Sequence, residues 1–296
     1  MKTTTIRRAI ACAMLCLLLA ALFPVTAYAD IGPKPSVQVT FENMHDHICY
    51  GTLLSKEEST GPAYVWDGQE DHISLWGDQD MEIWQAFVDY EDPDGFYFLQ
   101  WFWRCDESKT LTWGYYPPET FKILLYYPDT GEFLTSEVCE RYAFDSYFKI
   151  DLAQDDMTVS KGAQARRDYD YTREVAAFMA RMILTVLIEL AVAWLFGIRK
   201  KELLLLIVLV NVLTQVGLNA ALNAAYYFKG PWGKVFWLAV LEPVIFILEA
   251  LVYCLLFKRF GGGEIRKVRI VLYALAANVC SFALGLMLYK LGVGIF

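Results

Sequence analysis

Leu203-Leu204-Leu205-Leu206-Ile207-Val208-Leu209-Val210-Asn211-Val212-Leu213-Thr214-Gln215-Val216-Gly217-Leu218-Asn219-Ala220-Ala221-Leu222-Asn223-Ala224-Ala225-Tyr226 carries no charge over its whole length. A helix needs roughly 20 such residues to cross about 30 Å of hydrocarbon, so this stretch reads as a membrane span. Outward from it, three more apolar runs of similar length occupy 175–197, 235–257 and 270–289. With 203–226 they predict four transmembrane helices in a domain covering 173–296.

The polar residues inside these runs are few and regularly placed. Asn211, Gln215, Asn219 and Asn223 recur every four residues, which puts an amide stripe on one helix face. Glu189 lies ten residues before Arg199, Asn211 ten after Lys201, Glu249 nine before Lys258 and Asn278 nine after Arg269. At 1.5 Å of rise per residue all four fall about 13 to 15 Å from the cytoplasmic boundary, one per helix, as a polar layer near the bilayer midplane. Glu242 shares a face with Glu249, and its depth lets it meet Asn219 about two turns above that layer. Carboxylic and amide groups are costly in hydrocarbon, so each calls for a partner. The layer has two readings: a proton or cation route lined by Glu189, Glu242 and Glu249, or hydrogen-bonded glue that fixes helix packing.

Positive charge sets the orientation. Arg199-Lys200-Lys201 joins the first two runs, and Lys258, Arg259, Arg266, Lys267 and Arg269 join the last two. Loops 198–202 and 258–269 are therefore expected in the cytoplasm, with 229–234 and Phe296 outside.

The N-terminus reads as a secretory signal peptide over 1–29. Lys2, Arg7 and Arg8 precede a short apolar run, and Ala27-Tyr28-Ala29 before Asp30 has the small residues of a cleavage site. That places 30–172 outside, in agreement with the loop charges.

This segment differs in composition from the spans. It holds 28 acidic residues against 10 basic ones, a net charge of −18, whereas 173–296 holds 6 against 13, a net of +7. Such an acidic balance excludes a nucleic-acid partner and favours cationic ones. Short β-branched and aromatic runs recur at 36–41, 48–53, 96–103, 121–126, 133–138 and 144–150, the spacing of an antiparallel, sandwich-like all-β domain. Tyr127-Pro128-Asp129-Thr130-Gly131-Glu132 supplies the turn of a hairpin between two of them. A short helix is expected from Glu82 to Asp89.

Chemistry-bearing motifs are sparse. Cys49, Cys105 and Cys139 lie in the acidic segment, and Cys49 with Cys105 is the expected disulfide among three possible pairings. Asp89-Tyr90-Glu91-Asp92-Pro93-Asp94-Gly95 resembles a calcium loop, but aligned on Gly95 it puts Tyr90 and Trp101 where carboxylates are required. His45-Asp46-His47 has only His72 as a further imidazole, so no metal site is predicted. No nucleophile with its base can be assembled, and the reading leans against an enzyme. No cofactor motif is present. The numerous tryptophans read first as core and second as a ligand platform.

Asp30-Ile31-Gly32-Pro33-Lys34-Pro35-Ser36-Val37, Cys49-Tyr50-Gly51-Thr52-Leu53-Leu54-Ser55 and Tyr142-Ala143-Phe144-Asp145-Ser146-Tyr147-Phe148 resemble a family of uncharacterised membrane proteins in Firmicutes, clostridial species in particular. The resemblance covers the mature chain and implies a bacterial plasma membrane; it carries no activity, cofactor or catalytic residue. The expectation is a cell-envelope binding, sensing or accessory module anchored in the lipid bilayer, with a cationic or envelope ligand and a membrane-protein partner or second copy. The alternative is a small proton- or cation-coupled transporter or channel using the intramembrane glutamates.

Overall fold

Strand β1 (Ser36–Glu42) alternates half-buried and buried residues along its length, and β11 (Asp145–Asp151) repeats that pattern. Period-two burial means one face on the core and one toward water. The two strands pair with each other, β7 (Thr110–Trp113) flanks β1, and β12 (Arg166–Arg167) flanks β11. The structure is a computed structural model describing residues 32–44, 47–69, 81–152, 164–261 and 266–290. The expected signal peptide, 1–29, lies outside the described residues, as do His45, Asp46 and His72.

A second sheet is built on β2 (Tyr50–Ser55) and β8 (Thr120–Tyr127), with β5 (Tyr97–Phe98) and β6 (Trp103–Arg104) on β2 and with β9 (Glu132–Thr135) and β10 (Cys139–Glu140) on β8. Here burial is nearly continuous rather than alternating, because both faces are covered. On the inner face, Leu53, Ile123 and Leu125 join Val37, Val39, Leu111, Trp113 and Phe148 of the first sheet in one core. On the outer face, Leu54 and Leu124 meet Trp84 and Phe87 of helix α1 (Met81–Asp89). Phe87 is surrounded by Phe98, Phe102, Tyr126 and Phe133 at ring separations of 5.1 to 6.0 Å. A short ribbon, β3 (Ser59–Thr60) with β4 (Ala63–Tyr64), completes the region.

The hairpin turn forms as its residues dictate. Gly131 takes φ 73° and its N–H reaches Tyr127 O at 2.8 Å, while Tyr127 pairs with Glu132. One expectation is overturned. β1 and β11 run parallel, Ser36 opposite Asp145 through Glu42 opposite Asp151, so the region is β-rich but not purely antiparallel. The long connection between these strands, which carries the whole second sheet, is what makes a parallel pairing possible. β7, β10 and β12 were also missed; each is short or lacks a β-branched run.

Among the described residues three helices are long and apolar enough to cross a membrane, by length and composition. They are α2 (Tyr171–Leu195), α3 (Lys201–Gly261) and α4 (Lys267–Lys290). The expected loop at 229–234 is absent, and the second and third predicted spans are two arms of α3, broken only at Gly230, with φ 70° and ψ −164°. Thr214 hydrogen-bonds Glu249 and Asn211 hydrogen-bonds Tyr253. Along a straight helix the first pair would stand about 52 Å apart, so the arms fold back against each other. Glycine supplies the left-handed backbone that ends the first arm, and Pro231 begins the second, where its missing N–H is harmless.

α2 ends by a similar device. Gly197 has φ 71°, Ile198 N–H reaches back to Ala193 O at 2.9 Å, and the Arg269 guanidinium donates to Phe196 O. This cation on the terminal carbonyls of α2 joins the two basic connections at one end of the helices.

The sheets and the helices belong to one compact unit within Lys34–Phe296. Within that unit Phe144 N–H, just before β11, donates to Tyr227 O in α3 at 2.7 Å. A Cβ placed on Gly230 would lie 2.6 Å from the Phe144 ring, which therefore fills the space a side chain would take.

Candidate functional site: buried carboxyls and an interface cleft

Glu189, Asn211 and Glu249 are each 1% exposed. Helices α2, both arms of α3, and α4 each supply one member of the polar layer, and the structure joins them through two aromatic hydroxyls and a threonine. Tyr273 Oη donates to Glu189 Oε2 at 2.7 Å. Asn211 Nδ2 donates to Tyr253 Oη at 3.0 Å and to Ile207 O at 3.1 Å. Tyr253 and Tyr273 pack with ring centroids 5.8 Å apart. Asn278 Nδ2 donates to Glu249 Oε2 at 2.8 Å.

Thr214 Oγ1 lies 2.8 Å from Glu249 Oε1, 3.0 Å from Val210 O and 3.1 Å from Asn211 O. A hydroxyl carries one hydrogen, so it can donate to only one of these acceptors. Glu249 completes its hydrogen bond either by accepting that hydrogen or, when the carboxyl carries a proton, by donating its own to Oγ1. Both protonation states thus find a partner without moving a side chain. Among the described residues neither Glu189 nor Glu249 forms an ion pair.

The amide stripe continues toward the sheets. Asn219 Nδ2 donates to Gln215 O at 2.9 Å, and Asn219 Oδ1 accepts from Arg181 Nε at 2.9 Å. The expected meeting of Asn219 with Glu242 does not occur, because the Nδ2 donor that a carboxylate would take is given to Gln215. Glu242 is half-buried and takes no hydrogen bond from the described residues. Asn223, the last member of the stripe, lines a cleft of about 410 Å³ between the sheets and the helices.

Arg181, Lys234 and Glu174 share that cleft with Asn223 on the helix side, and Asp145, Tyr147, Asp168, Tyr169 and Asp170 line it from the chain before α2. Tyr169 Oη donates to Glu174 Oε1 at 2.5 Å; burial, then that carboxylate, pushes the Tyr169 phenol well above its ordinary value. Tyr142, next to the cleft, donates to Tyr147 O at 2.8 Å, and burial raises its phenol to about 12. Both hydroxyls are therefore donors rather than phenolates over the physiological range. Polar groups thus run from the cleft through Arg181, Asn219 and Gln215 to the layer of Thr214, Glu249 and Asn278.

Arg181, Thr214, Tyr253 and Tyr273 were not singled out from the sequence. An arginine inside an apolar run is itself a signal. The two tyrosines read as ordinary apolar members of their helices, and nothing in sequence shows which way a hydroxyl points.

Other expectations fall away from this site. Cys49 and Cys105 are free thiols, as are Cys139, Cys254 and Cys280. Cys49 and Cys105 are neighbours, since Cys105 N–H donates to Cys49 O at 2.8 Å, but each thiol turns to a carbonyl, Tyr50 O and Trp103 O, instead of to the other sulfur. The expected disulfide is thus not formed. In the acidic turn Lys122 supplies the cation: its Nζ lies 2.8 Å from Asp92 Oδ1 and 2.5 Å from Asp94 Oδ2. Among the described residues no group of His, Cys, Asp and Glu is arranged to hold a metal ion. His47 instead faces Asp129 at 3.7 Å. Trp84 and Trp113 are core residues, and Trp66 is partly exposed.

Compared with models of protein families, with curated proteins and with solved structures, the chain matches none, so its function is argued from these residues.

Proposed function

We propose that this chain is a membrane-anchored binding or sensing module of a bacterial envelope, in which the β-rich region receives a ligand and the helices relay its presence to a membrane partner. The observation that carries the reading is the seat of Phe144 on Gly230, reinforced by its backbone hydrogen bond to Tyr227. A domain tethered by a loop alone moves independently of its anchor; here the strand that borders the core begins at the helix break. A displacement of β11 therefore acts on the hinge between the two arms of α3.

The orientation follows from charge. The sheets contact α3 near Gly230, whereas Arg199, Lys200, Lys201, Lys258 and Arg259 lie at the other end of its arms, about 43 Å away along the first arm. Cytoplasmic basic loops then put 30–172 and the cleft outside, and cleavage after Ala29 puts the mature terminus there too.

The test is to solubilise the full chain gently from its native membrane and identify stoichiometric companions by mass spectrometry, with Phe144→Ala beside the unaltered protein. A companion retained by the first and lost from the folded variant supports the relay. A protein that purifies alone, with or without Phe144, sinks it.

A second reading is favoured by the polar track from Asn223 to Glu249: a proton route in which Glu249 changes protonation state against Thr214. Reconstituted vesicles with a trapped pH dye would then acidify through the unaltered chain and not through Glu249→Gln. Equal flux in both, or none in either, excludes it.

A further inference from the structure

Arg181, Glu189, Glu242 and Glu249 lie well inside the apolar runs, and three of them are answered from within the chain. Glu189 accepts from Tyr273, Arg181 donates to Asn219, and Glu249 lies between Thr214 on the first arm of α3 and Asn278 on α4. Glu242 is the exception. It is half-buried, it makes no hydrogen bond or ion pair with the described residues, and the charge that acts on it is Glu249, a like charge.

The reason lies two turns along each helix. A step of seven residues moves about 10.5 Å along the axis and keeps the helix face. Taken away from the basic end, it leads from Glu249 to Glu242, from Thr214 to Ala221 and from Asn278 to Gly285. The two arms of α3 hold this register, since Asn211 meets Tyr253 one turn inward of Thr214 and Glu249. The carboxyl therefore recurs, but both side chains that hydrogen-bond it in the inner layer are replaced by residues with no polar group.

The surface around Glu242 narrows what completes it. Val240, Val244 and Ile247 are exposed beside it, so the carboxyl opens on an apolar face. On the first arm Ala221 is exposed, as is Gly217, and the space that a side chain on Gly217 would fill is open. A carboxyl in hydrocarbon calls for a counter-charge that can enter hydrocarbon with it, and small residues let a second helix approach closely. Both features fit a basic side chain carried on a helix and not a hydrated ion. Arg181, the arginine within this chain's own spans, is held by Asn219, so a second copy does not supply the cation. We propose that the recess formed by Glu242, Ala221 and Gly285 docks a transmembrane helix of another protein, whose Lys or Arg pairs with Glu242. The inference rests on the reading that the helices have a membrane partner, and it names that partner's chemistry.

The experiment uses the full chain in phosphatidylcholine vesicles, titrated with synthetic transmembrane peptides of roughly 20 Leu and Ala residues. One peptide carries a single Lys at the depth of Glu242, a second has Leu there and a third Glu. Binding is read by energy transfer from the chain's tryptophans to a dansyl group on the peptide. The Lys peptide is expected to bind about five- to thirtyfold more tightly than the Leu peptide, the size of one hydrogen bond between helices in a membrane, and Glu242→Gln should abolish that preference. Glu242→Lys should reverse it, so that the Glu peptide binds and the Lys peptide does not, an exchange that a purely structural carboxyl would not produce. Glu202→Gln, which removes an exposed carboxyl at the basic end of α3, leaves binding unchanged. If the Glu242 variants do not reconstitute as folded species, Ala221→Leu takes their place; it fills the recess and should weaken the Lys peptide by a similar factor. Equal binding of the Lys and Leu peptides, which marks a carboxyl that merely faces lipid, overturns the proposal, as does a preference that survives in Glu242→Gln or Ala221→Leu. The relay fails separately, through Phe144→Ala and the native companion, neither of which enters this titration.

Discussion

Tyr273 Oη donates to Glu189 Oε2 at 2.7 Å, tying α4 to α2 across 84 positions of sequence. Tyr273 is fully buried and Glu189 nearly so, so water cannot replace this donor. Removing one partner of a buried bond leaves the other unsatisfied, which costs about 1 to 3 kcal/mol. Tyr273→Phe is expected to lower the unfolding temperature of the full chain in detergent by several degrees. In Glu189→Leu the acceptor is gone, and the further change Tyr273→Phe should then have a much smaller effect; equal effects in both backgrounds would argue against the bond.

Lys122 forms a buried ion pair with Asp92 in the β-rich region. Its side chain is 4% exposed and that of Asp92 is 0% exposed. Burial opposes the charge on Lys122, but its hydrogen bonds to Asp92 and Asp94 outweigh burial and hold its pKa above the ordinary value. Breaking a buried pair by removing one member leaves an uncompensated charge and costs about 3 to 5 kcal/mol. Asp92→Ala should therefore unfold the sheets early, as seen by near-ultraviolet circular dichroism, and Lys122→Met in the same chain should recover much of the loss.

Gly230 carries two separable constraints. A side chain there meets backbone strain of about 1 to 3 kcal/mol and also collides with Phe144. Gly230→Ala is expected to destabilise the chain, and Phe144→Ala added to it should restore only the steric part. Full restoration would mean that the backbone conformation carries no strain.

The thiols of the sheets give a pH-dependent test. Burial, first among the causes, pushes Cys49 from its ordinary 9.0 up to about 12 and Cys139 up to about 11. The folded state thus holds these protons where the unfolded chain has released them, so the stability they contribute is intact below about pH 9 and is lost as pH rises through 9 to 12. At pH 8 alkylation of Cys49 by iodoacetamide should be about a thousandfold slower in the folded chain than in denaturant, since only the thiolate reacts. Rapid modification of the native protein would contradict this burial.

Much of the local structure was legible because it rests on nearest neighbours in sequence. The alternation in 36–41 and 144–150, the Pro-Asp-Thr-Gly turn and the apolar runs all follow from period and length, and α1 was expected within one residue of its observed start. The depth argument brought Glu249 and Asn278, on different helices, to one level, and they do hydrogen-bond. Register along a helix is arithmetic, so depth needs no tertiary information.

What the sequence by itself determined is therefore one-dimensional: where the chain is apolar, where it turns, and how far along its helix each polar side chain sits. Tertiary structure alone decided rotation and pairing. It set β1 parallel to β11, because a connection long enough to hold a whole sheet lies between them. It turned Cys49 and Cys105 to separate carbonyls, gave Asn219 to Gln215 and Arg181 instead of to Glu242, and aimed Tyr253 and Tyr273 at the buried amide and carboxyl. It also made one broken helix of two predicted spans, since a single glycine with φ 70° reverses the chain without a loop. These outcomes depend on which of several sterically similar contacts leaves the fewest polar groups unpaired, a comparison made across the folded chain and not within any segment of it.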